Sequence, residues 1–379
     1  MFENPDSLDS RNFLSYTVPT ASPPQIHMKG LIKIPNFNSH KEIHFSYRQM
    51  ERTMDEVFSR KSEIESFFSA EGDFVFVACG SSYWMSLSAA DVLRKHTGKN
   101  TFAVKAGDVV LSPAEYKGRY RNPVFIAPSR SGMSRELIDA LKWLMAEYPA
   151  SKLFSITEYE ENEIKNISDY NISLPFVNEI SVCQTRSFSS LYTAFLAISS
   201  ILSKGELEKE MRTYFAAAPK TYKEGEVKVK QLIDSMGHID HLVTLGAGLQ
   251  YGIVIEGAYI VIEMAQMPCN YYQTLEYRHG PIVTARENTL TLLCSAGKEA
   301  LPHEIKMAKE ARAAGSTVVM VWGDGDGWDG PLFSLEKEYS PEVVALYFIF
   351  IAQSAAYHIA LKRKLDPDKP GALTPFIVY

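Results

Sequence analysis

Short, nearly continuous apolar runs alternate along this chain with longer stretches in which apolar residues return every three or four positions. Helical spacing from Glu42 to Phe68 leads into FVFVACG, a β-rich run that stops at Gly80. A helix with a Ser-rich start and a Gly stop follows (SSYWMSLSAADVLRKHTG). Then come TFAVKAGDVV, NPVFIAPSRSG, the helix SRELIDALKWLMAEY, SKLFSIT and YNISLPF, and the apolar helix TRSFSSLYTAFLAISSIL closes the unit. A charged helical stretch separates this half from a second one. There HLVTLGAG, LQYGIVIEGAYIVIEMAQ, TLTLLCSA, PHEIKMAKEARAAG, STVVMVWGD and a helix from Pro341 to about Lys362 repeat the alternation. Buried strands alternating with helices predict an α/β fold, two tandem domains each with a parallel sheet flanked by helices. The strand–glycine junction at Gly80 recurs at Gly246, as in a duplicated domain. The expected organisation is an N-terminal arm 1–41, a first domain 42–202, a helical connection 203–236, a second domain 237–362 and a tail 363–379. Residues 1–28, rich in Pro and Ser, read as an arm lying over the surface or over a partner subunit.

The chain's 39 basic and 45 acidic side chains contain no basic run, which argues against nucleic acid or an anionic membrane as partner. A small phosphate needs only a local cradle of donors and stays possible. Cys79, Cys183, Cys269 and Cys294 form no CxxC pair, so neither a zinc cluster nor a disulfide framework is expected. Reduced thiols, the absence of a signal-like apolar core near Met1 and the absence of an apolar window of about 18 residues predict a cytoplasmic protein without a membrane helix.

The stretch APSRSGMSRE sets Ser129, Ser131 and Ser134 around Gly132 where a strand hands over to a helix. Hydroxyls, a glycine and unpaired N–H groups there make an oxyanion cradle, to which Arg130 could add charge. The alternative is that Ser131 or Ser134 merely caps the helix, with Glu136 in its first turn. Ser81 and Ser82 stand at the neighbouring junction, and loops at strand carboxyl ends converge in an open parallel sheet. Without GxGxxG or GxxxxGK[ST], a small phosphorylated metabolite fits better than a nucleotide. Glu256 and Glu263 are seven apart on an otherwise apolar helix, on one face about 10 Å from each other. Buried carboxylates raise their pKa and can serve as bases, or they cap loops or pair with arginine. His279, in EYRHGP with Glu276 and Arg278, could move a proton near neutral pH or simply be solvated.

Together these residues resemble the double-SIS (sugar isomerase) family related to the isomerase half of glucosamine-6-phosphate synthase. The resemblance covers about residues 42–379 through ACGSSY (78–83), SRSGMS (129–134), EISVCQTRSFSS (179–190), LGAG…IEGAYIVIE (245–263) and E-x-R-H-G-P (276–281). It implies two flavodoxin-like three-layer domains and a homodimer with its active site at the subunit interface. Ser82, Ser129, Ser131 and Ser134 match the sugar-phosphate positions, with Arg130 where the synthase has glutamine. Gly80, Ser81, Gln184 and Arg278 stand in the same signatures and are expected at the substrate. Glu263 matches the base that moves a proton between C1 and C2, Glu256 a second acidic position, and His279 a ring-opening histidine often supplied by the neighbouring subunit. The synthase lysine four residues beyond the first glutamate is Ile260 here, and the lysine that forms a Schiff base falls at Pro375. With no glutaminase domain expected, the run TGKNTFAV…LSPAEY and the SRSG loop look similar to the amino-sugar-phosphate deaminase/isomerase (AgaS-like) branch. The expected activity is isomerisation or deamination of a glucosamine- or galactosamine-6-phosphate type of substrate, with no metal and no organic cofactor. A fructosamine-phosphate deglycase and a non-catalytic sugar-phosphate sensor are the alternatives.

Overall fold

Phe74, Val75, Phe76 and Val77 are all fully buried in one strand, so both faces of the sheet they enter must be covered. This strand, β1 (Phe74–Ala78), is joined by β2 (Thr101–Lys105), β3 (Val124–Ser129), β4 (Lys152–Thr157) and β5 (Tyr170–Ser173) in the order β2-β1-β3-β4-β5. All pairings are parallel. A second parallel sheet holds β6 (His241–Gly246), β7 (Cys269–Gln273), β8 (Thr289–Cys294), β9 (Thr317–Trp322) and β10 (Leu332–Ser334) in the order β10-β9-β8-β6-β7. Read from the other edge, that is the same order as in the first sheet. The two halves are therefore flavodoxin-like sheets of one topology, as the recurring strand–glycine junction implies. The computed structural model describes residues 37–205, 207–322 and 327–374. Most of the predicted arm, and the tail from residue 375 with Pro375, lie outside the described residues.

Alternate side chains of each strand enter different cores. Phe74, Phe76, Ile126 and Phe154 of the first sheet and Leu242, Leu290, Leu292 and Val319 of the second enter one shared cluster. Val75, Val77, Phe125 and Leu153 face a separate layer, and Val243, Leu245, Leu293 and Met320 face another. The shared layer is built from helices Ser46–Ser59, Gly80–Thr97, Arg186–Leu202, Tyr251–Ala265 and Pro341–Lys362. Two of them meet at Gly252, where a Cβ would lie 2.0 Å from the Trp84 carbonyl oxygen and 2.8 Å from Ser88 Oγ. Only glycine lets helix Tyr251–Ala265 of the second half approach helix Gly80–Thr97 of the first so closely. The Ile253 N–H donates to Ser88 Oγ at 3.2 Å across the same contact.

Several features differ from expectation, among them strand β10, which the sequence reading did not include. The helical stretch before β1 is broken into Asn38–His44, Ser46–Ser59 and Lys61–Phe67. Strand β7 was not foreseen, because CNYYQ lies half-buried at a sheet edge and carries no apolar run. Helix Pro341–Lys362 is, contrary to the sequence reading, long and apolar enough to cross a membrane by length and composition. It is instead a core helix, buried along nearly its whole length between the other helices.

Candidate active site

In the first sheet the chain turns to opposite sides of β1 on its way to β2 and β3, which makes the carboxyl ends of β1 and β3 the switch point where an open α/β sheet takes its ligand. Both serine-bearing segments issue there. Ser81 and Ser82 occupy the first turn of helix Gly80–Thr97, nearly buried. From β3 the chain enters the Ser129–Ser134 loop, which its own hydroxyls hold in shape. Ser129 Oγ accepts the Gly132 N–H at 3.0 Å, and Ser131 Oγ accepts the Met133 N–H at 3.1 Å. Gly132 has φ +65°, and a Cβ there would lie 2.2 Å from Asn162 Oδ1. That oxygen already caps helix Glu163–Ile167 by accepting the Lys165 N–H at 2.8 Å. Ser134 is the N-cap residue of helix Arg135–Glu147, yet its hydroxyl makes no capping bond.

Arg130 lies in the loop but points inward. Its Nη1 donates to Glu179 Oε2 at 3.3 Å and to the carbonyls of Ser181 and Val182, both at 3.1 Å. It is nearly fully buried, so much of its charge is engaged by the segment after β5. Glu179 Oε1 in turn accepts the Thr185 N–H at 2.6 Å and the Thr185 hydroxyl at 2.7 Å. Gln184, half-buried, lies in that segment.

Helix Tyr251–Ala265 brings the second half's carboxylates to this loop. Glu256 is fully buried, and neither oxygen accepts a hydrogen bond of normal geometry from a described residue. Burial, then the charge of Glu263, push its pKa well above the usual carboxylate range, against a smaller pull from the Ser81 hydroxyl. Glu263 is half-buried, and burial raises its pKa to about 7 even though the Arg130 guanidinium and the Cys183 thiol act the other way. A carboxyl group poised there can give and take a proton near neutral pH. Cys183 is ringed by charge. Burial, followed by Glu263, Glu179 and Glu256, drives its thiol far from ionisation.

Two members of this cluster were not singled out from the sequence. Glu179 opens the EISVCQTRSFSS signature, and Glu158 immediately follows β4, where ligand-facing residues of a parallel sheet gather. Burial and the neighbouring Glu179 raise the pKa of Glu158. Burial and neighbouring carboxylates thus raise Glu158, Glu256 and Glu263, while Arg130 acts the other way on Glu158 and Glu263 and Arg186 on Glu158.

His279 is elsewhere on the same chain. It is exposed, after the short helical turn Glu276–Arg278 that follows β7, and Arg278 pairs with Glu310 at 3.2 Å. Tyr277 anchors this turn in the outer layer of the second sheet, not in the shared central layer that carries Glu263. No hydrogen bond or ion pair among the described residues joins His279 to Glu263. The corresponding loop after β8 in the second half is self-occupied. Glu304 accepts the Ser295 hydroxyl at 2.6 Å and the Ala296 N–H at 2.8 Å, so a carboxylate of the chain itself fills the pseudo-equivalent anion site.

Residues 67–204 match the family model described as SIS domain. That match takes in 138 of the chain's 379 residues. The glutamine–fructose-6-phosphate aminotransferase (isomerizing) of Sulfurisphaera tokodaii is 27% identical over 340 residues, which are 88% of this chain and 55% of that protein. The chain thus spans about half the length of such relatives. Among solved structures, a glucosamine-6-phosphate deaminase from Thermotoga maritima is 25% identical, with a TM-score of 0.74, over 90% of this chain and 100% of that one. A tagatose-6-phosphate ketose/aldose isomerase from Escherichia coli shares the fold with a TM-score of 0.78 at 21% identity, over 89% of this chain and 96% of that one. These similar proteins are named as an aminotransferase, a deaminase and a ketose/aldose isomerase of phosphorylated sugars.

Proposed function

We propose that the chain is an isomerase/deaminase of an amino-sugar 6-phosphate, working by proton transfer through an enediol or enolamine. The observation that carries this reading is Glu263, a carboxyl group with a pKa of about 7 beside the Ser129–Ser134 loop's Arg130. The serines at the ends of β1 and β3 hold the phosphate with hydroxyls and helix-start N–H groups. Glu263 carries the proton between C1 and C2, and the protonated neighbours Glu256 and Glu158 keep the site close to neutral for an anionic substrate. Where C2 bears an amine, the resulting imine hydrolyses and ammonia leaves. A carboxylate suffices for this chemistry, which calls for neither a metal nor an organic cofactor.

His279 would open the sugar ring from the other subunit of a homodimer. Its distance in the fold from the Glu263 cluster supports that arrangement, as do the exposed apolar side chains of Ile262 beside Glu263 and Val283 beyond the His279 loop. Ile260 sits at full burial in the core where the resemblance places a synthase lysine, which favours isomerisation or deamination over amide transfer. A cytoplasmic setting agrees with phosphorylated substrates. A panel of glucosamine 6-phosphate, galactosamine 6-phosphate and fructosamine 6-phosphates, assayed for ammonia, ketose and amino-acid release, tests the reading. Ammonia or ketose from an amino-sugar phosphate is expected. Amino-acid release alone would instead mark a deglycase, and ligand-induced thermal stabilisation without turnover a sensor.

A further inference from the structure

Helix Asn38–His44 places His40 and His44 one turn apart, their rings stacked at 5.7 Å and 15°. Both reach Glu226 of helix Glu208–Ser235: His40 Nε2 lies 2.5 Å from Oε1, and His44 Nδ1 lies 2.5 Å from Oε2. The second contact lacks hydrogen-bond geometry, so His44 Nδ1 is aimed at the carboxylate without being bonded to it. The ligating atoms of these three residues all lie within 4.8 Å of one another. A third imidazole approaches from helix Pro341–Lys362, with His358 Nε2 3.8 Å from Glu226 Oε1. His358 is only 9% exposed, and its Nε2 has no hydrogen-bond partner among the described residues.

We infer that His40, His44, Glu226 and His358 form a binding site for a divalent cation of the zinc class, clamping the first described helix to the helical core. One carboxylate faces three imidazoles, and the Nε2 of buried His358 has no hydrogen-bond partner among the described residues. Imidazole nitrogens together with one carboxylate oxygen are a donor set that suits zinc. The rings of Tyr357 and Phe350 line the small cavity onto which His40, His44 and Glu226 open.

The clamp would act where it matters. A seven-residue helix has little stability of its own. Glu42, between the two histidines, accepts the Ile180 N–H at 2.6 Å and the Ser181 N–H at 3.2 Å, and Ser181 also receives Arg130. A cation on His40 and His44 therefore fixes the segment that holds Glu179 against Arg130, while sharing no residue with the serine loops. Cobalt(II), added to the full chain after chelator treatment, should bind one ion per chain with the strong visible absorption of tetrahedral coordination. Zinc should displace it and raise the melting temperature. His44→Ala and His358→Gln should each weaken zinc binding at least about tenfold, since loss of a direct ligand exceeds the effect of losing an outer partner. The exposed His303→Ala should leave it unchanged. His358→Gln, which keeps bulk and a polar end, gives the reading if alanine at 44 prevents folding. Absence of a stoichiometric ion, or affinity unaltered by the substitutions at both positions, overturns the proposal.

Discussion

In the proposed reaction Glu263 would owe its role to its surroundings. Its folded pKa of about 7 lies above the ordinary value of 4.5. Between those values the unfolded chain has released a proton that the folded chain still holds, so this group's contribution makes stability fall as pH rises through that window. The same shift makes the base form appear as pH rises through about 7. Glu263→Gln should therefore raise the melting temperature at pH 8 more than at pH 5. Equal shifts at the two pH values would contradict the buried-base assignment. The serine loop is tested at the same scale. Ser129→Ala/Ser131→Ala removes hydroxyls that could bond the phosphate and that now hold the Gly132 and Met133 N–H groups. It should weaken sugar-phosphate binding by about 1–2 kcal/mol per lost bond to a charged group, measured by calorimetry. Affinity equal to wild type would remove the phosphate from this loop.

Two helices from different halves decide whether the carboxylates meet the serines at all. Tyr251–Ala265 crosses Gly80–Thr97 at Gly252, with the Trp84 carbonyl where a side chain would go. Gly252→Ala must push the helices apart, because the obstructing atom is backbone, and should cost about 1–3 kcal/mol or more. A urea midpoint unchanged from wild type would show that the crossing is looser than described. Elements of this kind were unevenly legible in the sequence. β1, β3, β6 and β8 announce themselves because they are buried on both faces and read as unbroken apolar runs, whereas β7, at an edge, reads CNYYQ. The placement of the serines at strand-to-helix junctions was legible because each group follows a buried apolar run and precedes a helical pattern. The Arg130–Glu179 pair was not. Its partners are 49 residues apart, and only the folded chain shows that the arginine is spent on a carboxylate and two carbonyls.

At the scale of the whole molecule, one topology is used twice but one half keeps the open loop. No hydrogen bond among the described residues joins a carboxylate to Ser129, Ser131 or Ser134, while Ser295 and Ala296 are bonded to Glu304. In the proposed reaction the first half would hold the anion and the second half would lend the base. His279, exposed and anchored to the outer layer, would complete a site across a dimer. Mixed dimers of Glu263→Gln and His279→Asn protomers should regain part of the activity that each lacks alone, because one of the two shared sites is intact. No recovery in verified mixed dimers would assign a complete site to each chain. The most direct test of the account is the turnover of its amino-sugar phosphate by wild type and Glu263→Gln from pH 5 to 9, with substrate affinity measured alongside. Wild-type turnover should rise through about pH 7, and Glu263→Gln should lose about a hundredfold or more above that pH, with the gap narrowing toward pH 5, while still binding substrate. Near-wild-type turnover in Glu263→Gln would contradict the account and leave the buried glutamates a structural role.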